Sequence, residues 1–395
     1  MEQKHQTVEA AVGTPSTLPQ FLFYFLRLGT FGFGGPIALA GYMQRDLVER
    51  RQWISKQDYV EGLAFAQLCP GPLGAQLAMY LGWIRAGFLG ATLVSLAFIG
   101  PSFLMVLLLA AVYLRFGGLW WMQGVFYGIG AAVIAILARS AYKLVRMTVG
   151  TDWLLLCIFA LAAGVTAFTE SEVVWVFVLG GFLALLIRAP PHFRSSGSQQ
   201  AMTPAFIWFV SGLQGPASAE TLWTILLYFA EAGAFVFGSG LAIVPFLHQG
   251  VVEQFGWLSE RQFLDAVAVA MITPGPVIIT AGFIGYLVGG PLGASLASAG
   301  VFLPPYLLVI VAAPFFRRFA QNRRIKIFVQ GVTAAATGAF AGAAFVLGKH
   351  AIVDVPTSAI AVVTLVGLLA PRKIPEPILI VAAGIAGLAL TAYPC

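Results

Sequence analysis

Charged residues are scarce in this chain: Asp, Glu, Lys and Arg make up 10% of its 395 residues. A soluble domain carries about 25%, so there is too little polar side chain here to cover a water-facing surface. The 59% of residues that are hydrophobic fall in long runs rather than amphipathic stripes. Such runs match the roughly 20 apolar residues that carry a helix across a hydrocarbon core about 30 Å thick. Cysteine is equally sparse. Cys69, Cys157 and Cys395 are odd in number, scattered and without a CxxC, which argues against a disulfide framework or a metal site. The chain also lacks a GxxxxGK[ST] loop, a nucleophile motif and a His/Asp/Glu cluster. An ATP-driven pump and a membrane-embedded enzyme are therefore disfavoured, and no cofactor is implied. The first eighteen residues are polar, so no cleaved signal peptide is expected. The net charge of +6 has no nucleic-acid footprint: Arg317, Arg318, Arg323, Arg324 and Lys326 sit between two apolar runs, as in a short cytoplasmic loop.

What the chain does contain is an internal repeat. Residues 24–81 align without a gap to 228–285 at an offset of 204, and sixteen of the 58 positions are identical. Tyr24/Tyr228, Gly29/Gly233, Phe33/Phe237, Gly34/Gly238, Trp53/Trp257 and Ser55/Ser259 match, as does Pro70-Gly71-Pro72 with Pro274-Gly275-Pro276. After a one-residue deletion the pairing continues through Gly82/Gly285, Gly90/Gly293 and Pro101/Pro304. Chance similarity between apolar helices would match Leu, Val and Ala; here Gly, Pro and Trp match. Residues 1–188 read as the first unit, 189–219 as a Ser-, Gln-, Gly- and Pro-rich linker, and 220–395 as the second unit.

Each unit holds six apolar segments, the first of them near 19–43 and 221–247. Loop charges orient them. Arg45, Arg50, Arg51 and Lys56 follow segment one of the first unit, whereas Glu253, Glu260 and Asp265 follow segment one of the second. The basic residues 317–326 follow segment three of the second unit, where the first has only Arg115. By the positive-inside rule the two units are inverted. Six crossings each cannot invert them, so one segment per unit must double back. Segment two, broken by Pro-Gly-Pro, is the candidate, which gives ten crossings. If segment one, interrupted by Gly32, Gly34, Gly35 and Pro36, also doubles back, the linker must cross instead. The expected fold is an all-α integral membrane protein of about 10–13 membrane segments, an inverted repeat with broken, re-entrant helices.

Irregular backbone at membrane depth is tolerated only where protein buries it or it lines a cavity. The four breaks are therefore expected around one pathway: Gly34 and Gly35; Pro70, Gly71 and Pro72; Gly238, Ser239 and Gly240; Thr273, Pro274, Gly275 and Pro276. Half-helices beginning there present amide donors and a partial positive charge, which suits an anion. Ser239, Thr273 and Gln67 add side-chain polar groups. Small residues that merely pack helices are the competing explanation. Arg27, whose repeat partner is Glu231, is a candidate attracting charge, unless both side chains reach out to the interface. Glu231, Asp265 and Glu61 are candidates for a coupled proton, though acidic residues also suit a solvated helix start.

Phe31-Gly32-Phe33-Gly34-Gly35-Pro36, Trp53-Ile54-Ser55 and Pro70-Gly71-Pro72 resemble the chromate ion transporter family. Phe235-Val236-Phe237-Gly238-Ser239-Gly240, Trp257-Leu258-Ser259 and Thr273-Pro274-Gly275-Pro276 do so in the second half. Two fused units correspond to the family's long-chain form, which is described with thirteen spans and opposed halves. The resemblance implies an inner-membrane exporter of chromate, driven by the proton motive force and conferring chromate resistance, with sulfate as the look-alike substrate. Protons would be the coupling ion and a homodimer is allowed. A carrier for sulfate or another small anion, or a channel, would share the scaffold.

Overall fold

A computed structural model describes residues 17–33, 35–116, 119–169, 174–188, 219–238, 240–316, 322–370 and 374–392, nearly all of them helical. In the first half α1 spans Leu18–Phe31, α2 Gly35–Met43, α3 Lys56–Leu68, α4 Leu73–Phe116, α5 Trp120–Thr148, α6 Trp153–Thr169 and α7 Val174–Arg188. In the second, α8 spans Ala219–Phe235, α9 Val244–His248, α10 Glu260–Ile272, α11 Thr280–Ala312, α12 Arg323–Ala351, α13 Val355–Leu369 and α14 Glu376–Ala392. Among the described residues, four stretches are long and apolar enough to cross a membrane: α4, α5, α11 with its flanking turns, and α12.

The second segment of each unit doubles back, as its Pro-Gly-Pro requires. α3 starts on a Ser55 cap, whose hydroxyl oxygen accepts from the Asp58 amide, and α10 starts on the repeat-equivalent Ser259, which accepts from Gln262. Proline has no N–H to continue a helix and clashes with the preceding turn, so both helices end at the triplet. The chain then returns along itself: Phe65 meets Tyr80 with ring centroids 5.4 Å apart, and Tyr80 also fills the space beside Gly62.

Segment one doubles back too, and here the ten-crossing expectation fails. α1 closes on Gly32, whose amide donates to the Leu28 carbonyl. Gly35 then takes φ +75°, a region that side chains disfavour, and Pro36 follows. α2 continues as a π-helix over Gln44–Arg50 and brings the chain back beside the start of α1. There Trp53 lies 6.3 Å from Phe21, and the Arg51 guanidinium lies 5.7 Å from the ring centre of Tyr24. In the second unit Tyr228 meets Trp257 at 5.9 Å and Phe255 at 5.3 Å in the same way. The 189–218 stretch, which the counting argument then requires to cross, lies outside the described residues.

The inversion itself stands. α4 reverses at Ala86–Gly87, with Gly82 tight against Gly90, and its second arm then runs about 40 Å. That arm begins at the base of its own hairpins. Near its far end the Tyr113 hydroxyl donates to Asp265 Oδ2 at 2.7 Å, at the base of the other unit's hairpins. α11 repeats the reversal at Gly289–Gly290, with Gly285 against Gly293, and its end places Phe316 5.1 Å from Phe65. The hairpin bases thus lie at opposite ends of the bundle and their tips meet between. Outside them, glycines let backbones touch: Gly124 and Gly128 of α5 against α14, Gly338 and Gly342 of α12 against α6.

Candidate functional site

The hairpin tips are joined across the repeat. Gly71 and Pro72 pair in parallel with Phe237 and Gly238, and the Gly71 amide donates to the Val236 carbonyl at 2.5 Å. The Gly275 amide donates to the Gly32 carbonyl at 2.9 Å. Gly71 and Gly275 are repeat equivalents, as are Gly32 and Val236, so one contact occurs twice about a pseudo-two-fold axis. Both glycines hold positive φ, +141° and +100°. Each is also walled in: a Cβ at Gly71 would meet Gln76 and Pro305, and one at Gly275 would meet Ser102. The carbonyls ahead of these glycines are held by buried side chains. Gln76 Nε2 donates to the Pro70 carbonyl at 2.6 Å and Ser102 Oγ to the Pro274 carbonyl at 2.8 Å.

One consequence concerns the donors. Pro70, Pro72, Pro274 and Pro276 have no N–H, and the Gly71 and Gly275 amides are engaged across the repeat. The triplets are therefore braces rather than donor sets. Anion donors at this level must come from the helices that start beyond the breaks, whose first-turn amides have no intrahelical partner.

Those helix starts converge on a cavity of about 100 Å³. α2 reaches it at Gly35, α4 at Leu73, and the turn leading into α11 at Val277. Thr273 and Gly275 form one wall, and Arg139, Ser140 and Lys143 of α5 form another. Arg139 and Lys143 are one turn apart on the same face. Glu376, the first residue of α14, completes the rim; its Oε1 lies 3.5 Å from the Arg139 guanidinium. Two cations, one carboxylate and three helix N-termini give this cavity a positive field. The repeat equivalents of Arg139 and Lys143 are Gly342 and Val346, so the pseudo-symmetry that builds the tips does not extend to the charge.

The sequence-predicted residues divide accordingly. Gly35, Thr273 and Gly275 line the cavity, and Pro274 and Pro276 flank it in the chain. Thr273 directs its hydroxyl proton to the Val269 carbonyl, leaving its oxygen as an acceptor. Pro70, Gly71, Pro72 and Gly238 belong to the symmetry-related tip contact, and Gly240 backs onto Val277 and Ile278; none of the five is in the cavity lining. Gly34 and Ser239 lie outside the described residues. Gln67 is exposed at the end of α3, and Arg27 and Glu231 are exposed on α1 and α8, away from the cavity. Glu61 accepts from Gln57 Nε2 at 3.2 Å, and Asp265 is buried against the Tyr113 hydroxyl, both near hairpin bases. Arg139, Lys143 and Glu376 were not singled out from sequence as site residues. The available signal was a pair of cations four apart within the last turns of an apolar helix.

An inverted pair of helical units whose interrupted helices meet midway beside a cation-lined cavity is the architecture of a secondary transporter. The chain belongs to the chromate transporter family: the family model so described matches residues 19–185 and 223–388. It is 56% identical to the chromate transport protein of Cupriavidus metallidurans over 96% of this chain and 94% of that one. Identity to a probable chromate transport protein of Synechococcus elongatus is 54%, over 94% and 95% of the two chains. The chromate transport protein of Pseudomonas aeruginosa is 30% identical over 95% of this chain and 93% of its own. No solved structure matches. The family and the apolar helices together make this a multi-pass membrane transporter, not an enzyme.

Proposed function

We propose that this protein exports chromate across the cell inner membrane, giving chromate resistance, and that the anion binds in the cavity between Arg139, Lys143, Gly35 and Gly275. The observation that carries the reading is the convergence of two cations and three helix starts on one cavity at the hairpin tips. Opposed helix starts supply oriented donors without a dense cluster of fixed charge, so a dianion is stabilised but still released. The names of the relatives supply the choice of chromate. The braces at Gly71/Val236 and Gly275/Gly32 hold the tips while the surrounding helices move.

Charge supports the outward direction. With the cytoplasm negative, moving one charge across 100 mV is worth about 2.3 kcal/mol, so a dianion gains about twice that on leaving. The cavity lining runs along α5 past Lys143 to Met147. On the positive-inside reading of the basic loops 45–56 that end faces the cytoplasm, which supports loading of substrate from inside. Proton coupling at Glu231, Asp265 or Glu61 belongs to the same proposal, as do the unit boundaries 1–188 and 220–395 around the 189–219 linker.

Nothing in the cavity discriminates the central atom of a tetrahedral dianion, which keeps sulfate as a second substrate on the same site. Labelled chromate uptake into inside-out vesicles tests the proposal. Saturable uptake that sulfate competes for and a protonophore weakens is expected. Uptake that neither saturates nor responds to Arg139→Gln contradicts it.

A further inference from the structure

We propose that Glu376 is a resident counter-anion of the cavity: it occupies Arg139 when the site is empty, and the transported dianion must displace it. The inference rests on the cavity being the anion site. The ion pair spans 3.5 Å, and each side chain is about one-third exposed, 31% for Arg139 and 32% for Glu376. The pair is therefore neither sealed in the core nor fully solvated, and both members can exchange partners without unpacking a helix. Glu376 enters from the start of α14, and Arg139 from α5, the helix on which α14 packs most extensively.

Charge counting gives the pair its meaning. With Glu376 ionised, Arg139, Lys143 and Glu376 present one net positive charge to an incoming dianion. Displacement of Glu376 leaves two, which matches the anion, so the Glu376 carboxylate competes with substrate for Arg139.

The other charged groups around Glu376 do not supply a second competitor for Arg139. From α5 it faces Arg139 and Lys143. α13 has no ionisable residue. The ionisable residues of α10, Glu260, Arg261 and Asp265, sit at its opposite end from the cavity-lining Met271. Arg372 and Lys373 precede Glu376 in the chain, outside the described residues. A structural role alone, an acid favoured at a helix N-terminus, would alter stability without altering anion affinity.

The test is chromate binding to the purified full-length protein at about pH 8, comparing wild type, Glu376→Gln, Glu376→Asp and Arg139→Gln. Glu376→Gln should bind about tenfold tighter than wild type, a difference of about 1.4 kcal/mol, and Glu376→Asp should behave like wild type. If Glu376→Gln equals wild type while Arg139→Gln loses binding, the counter-anion role is overturned and the cavity remains the site. If Arg139→Gln also binds normally, the cavity assignment fails and this inference fails with it.

Discussion

The amide of Gly275 donates to the carbonyl of Gly32 across the junction of two chain halves, and 204 residues back the amide of Gly71 does the same to Val236. The two bonds tie each Pro-Gly-Pro turn to the first break of the other half. Four interruptions that would be costly singly in a membrane thus satisfy one another in pairs.

Replacing Gly71 or Gly275 by Val should disable the protein. A β-branched residue at φ +141° or +100° costs about 1–3 kcal/mol in backbone strain. Forcing its Cβ into Gln76 and Pro305, or into Ser102, adds an overpacking cost of about 1–3 kcal/mol. Thermal unfolding in detergent should show a clear drop for each variant and a larger one for the pair. Unchanged melting and transport in both would remove the tips from the account.

Ser102→Ala should destabilise by about 1–3 kcal/mol, because the buried Pro274 carbonyl loses its side-chain donor. Ser102→Thr, which keeps the hydroxyl, should recover part of that loss. The comparison separates the hydrogen bond from the packing of the side chain.

Arg139→Gln and Lys143→Gln should each raise the KM for chromate by about ten- to a hundredfold, the usual worth of a charged hydrogen bond at about 1.5–3 kcal/mol. Arg27→Gln, exposed on α1, should leave KM within a factor of two. A KM that responds to Arg27 and ignores Arg139 would relocate the site.

Two helix caps predict a pH dependence of stability. The Arg188 guanidinium, with the amides of Leu155 and Leu154, holds the Asp152 carboxyl below the usual range. The Tyr127 hydroxyl, then the Thr357 amide and hydroxyl, does the same for Asp354. A carboxyl depressed in the folded state stabilises it fully above the unfolded pKa of about 3.9, and that contribution is lost as pH falls through the lower folded value. The contribution of these two caps to the melting temperature should therefore be constant above about pH 5 and fall below about pH 4. The double variant Asp152→Asn, Asp354→Asn should show a shallower acid limb.

Much of this was legible in the sequence because Gly and Pro report backbone directly. The four breaks, the repeat offset and the inversion all follow from where those residues and the loop charges fall. The return of segment one was not legible, because Gly32 to Pro36 suits a kink as well as a reversal. The decision came from Trp53 seating on Phe21, a contact between rings 32 positions apart. The cavity cations were not legible for another reason. α5 has 29 residues and exceeds the width of a bilayer, so sequence alone does not say how deep Arg139 and Lys143 lie. They count equally well as charges closing a segment. Arg27 and Glu231 differ: both are exposed on α1 and α8, which their positions in apolar segments did not reveal.

The most direct test of the central claim is the position of the bound substrate, read from chromium anomalous difference density in crystals of the chromate complex. The account predicts a single peak within hydrogen-bonding reach of Arg139 and Lys143, between the α2 start at Gly35 and the Gly275 turn. A peak beside Arg27, or at the symmetry-related Gly71 and Val236 contact with the Arg139 cavity empty, would contradict it.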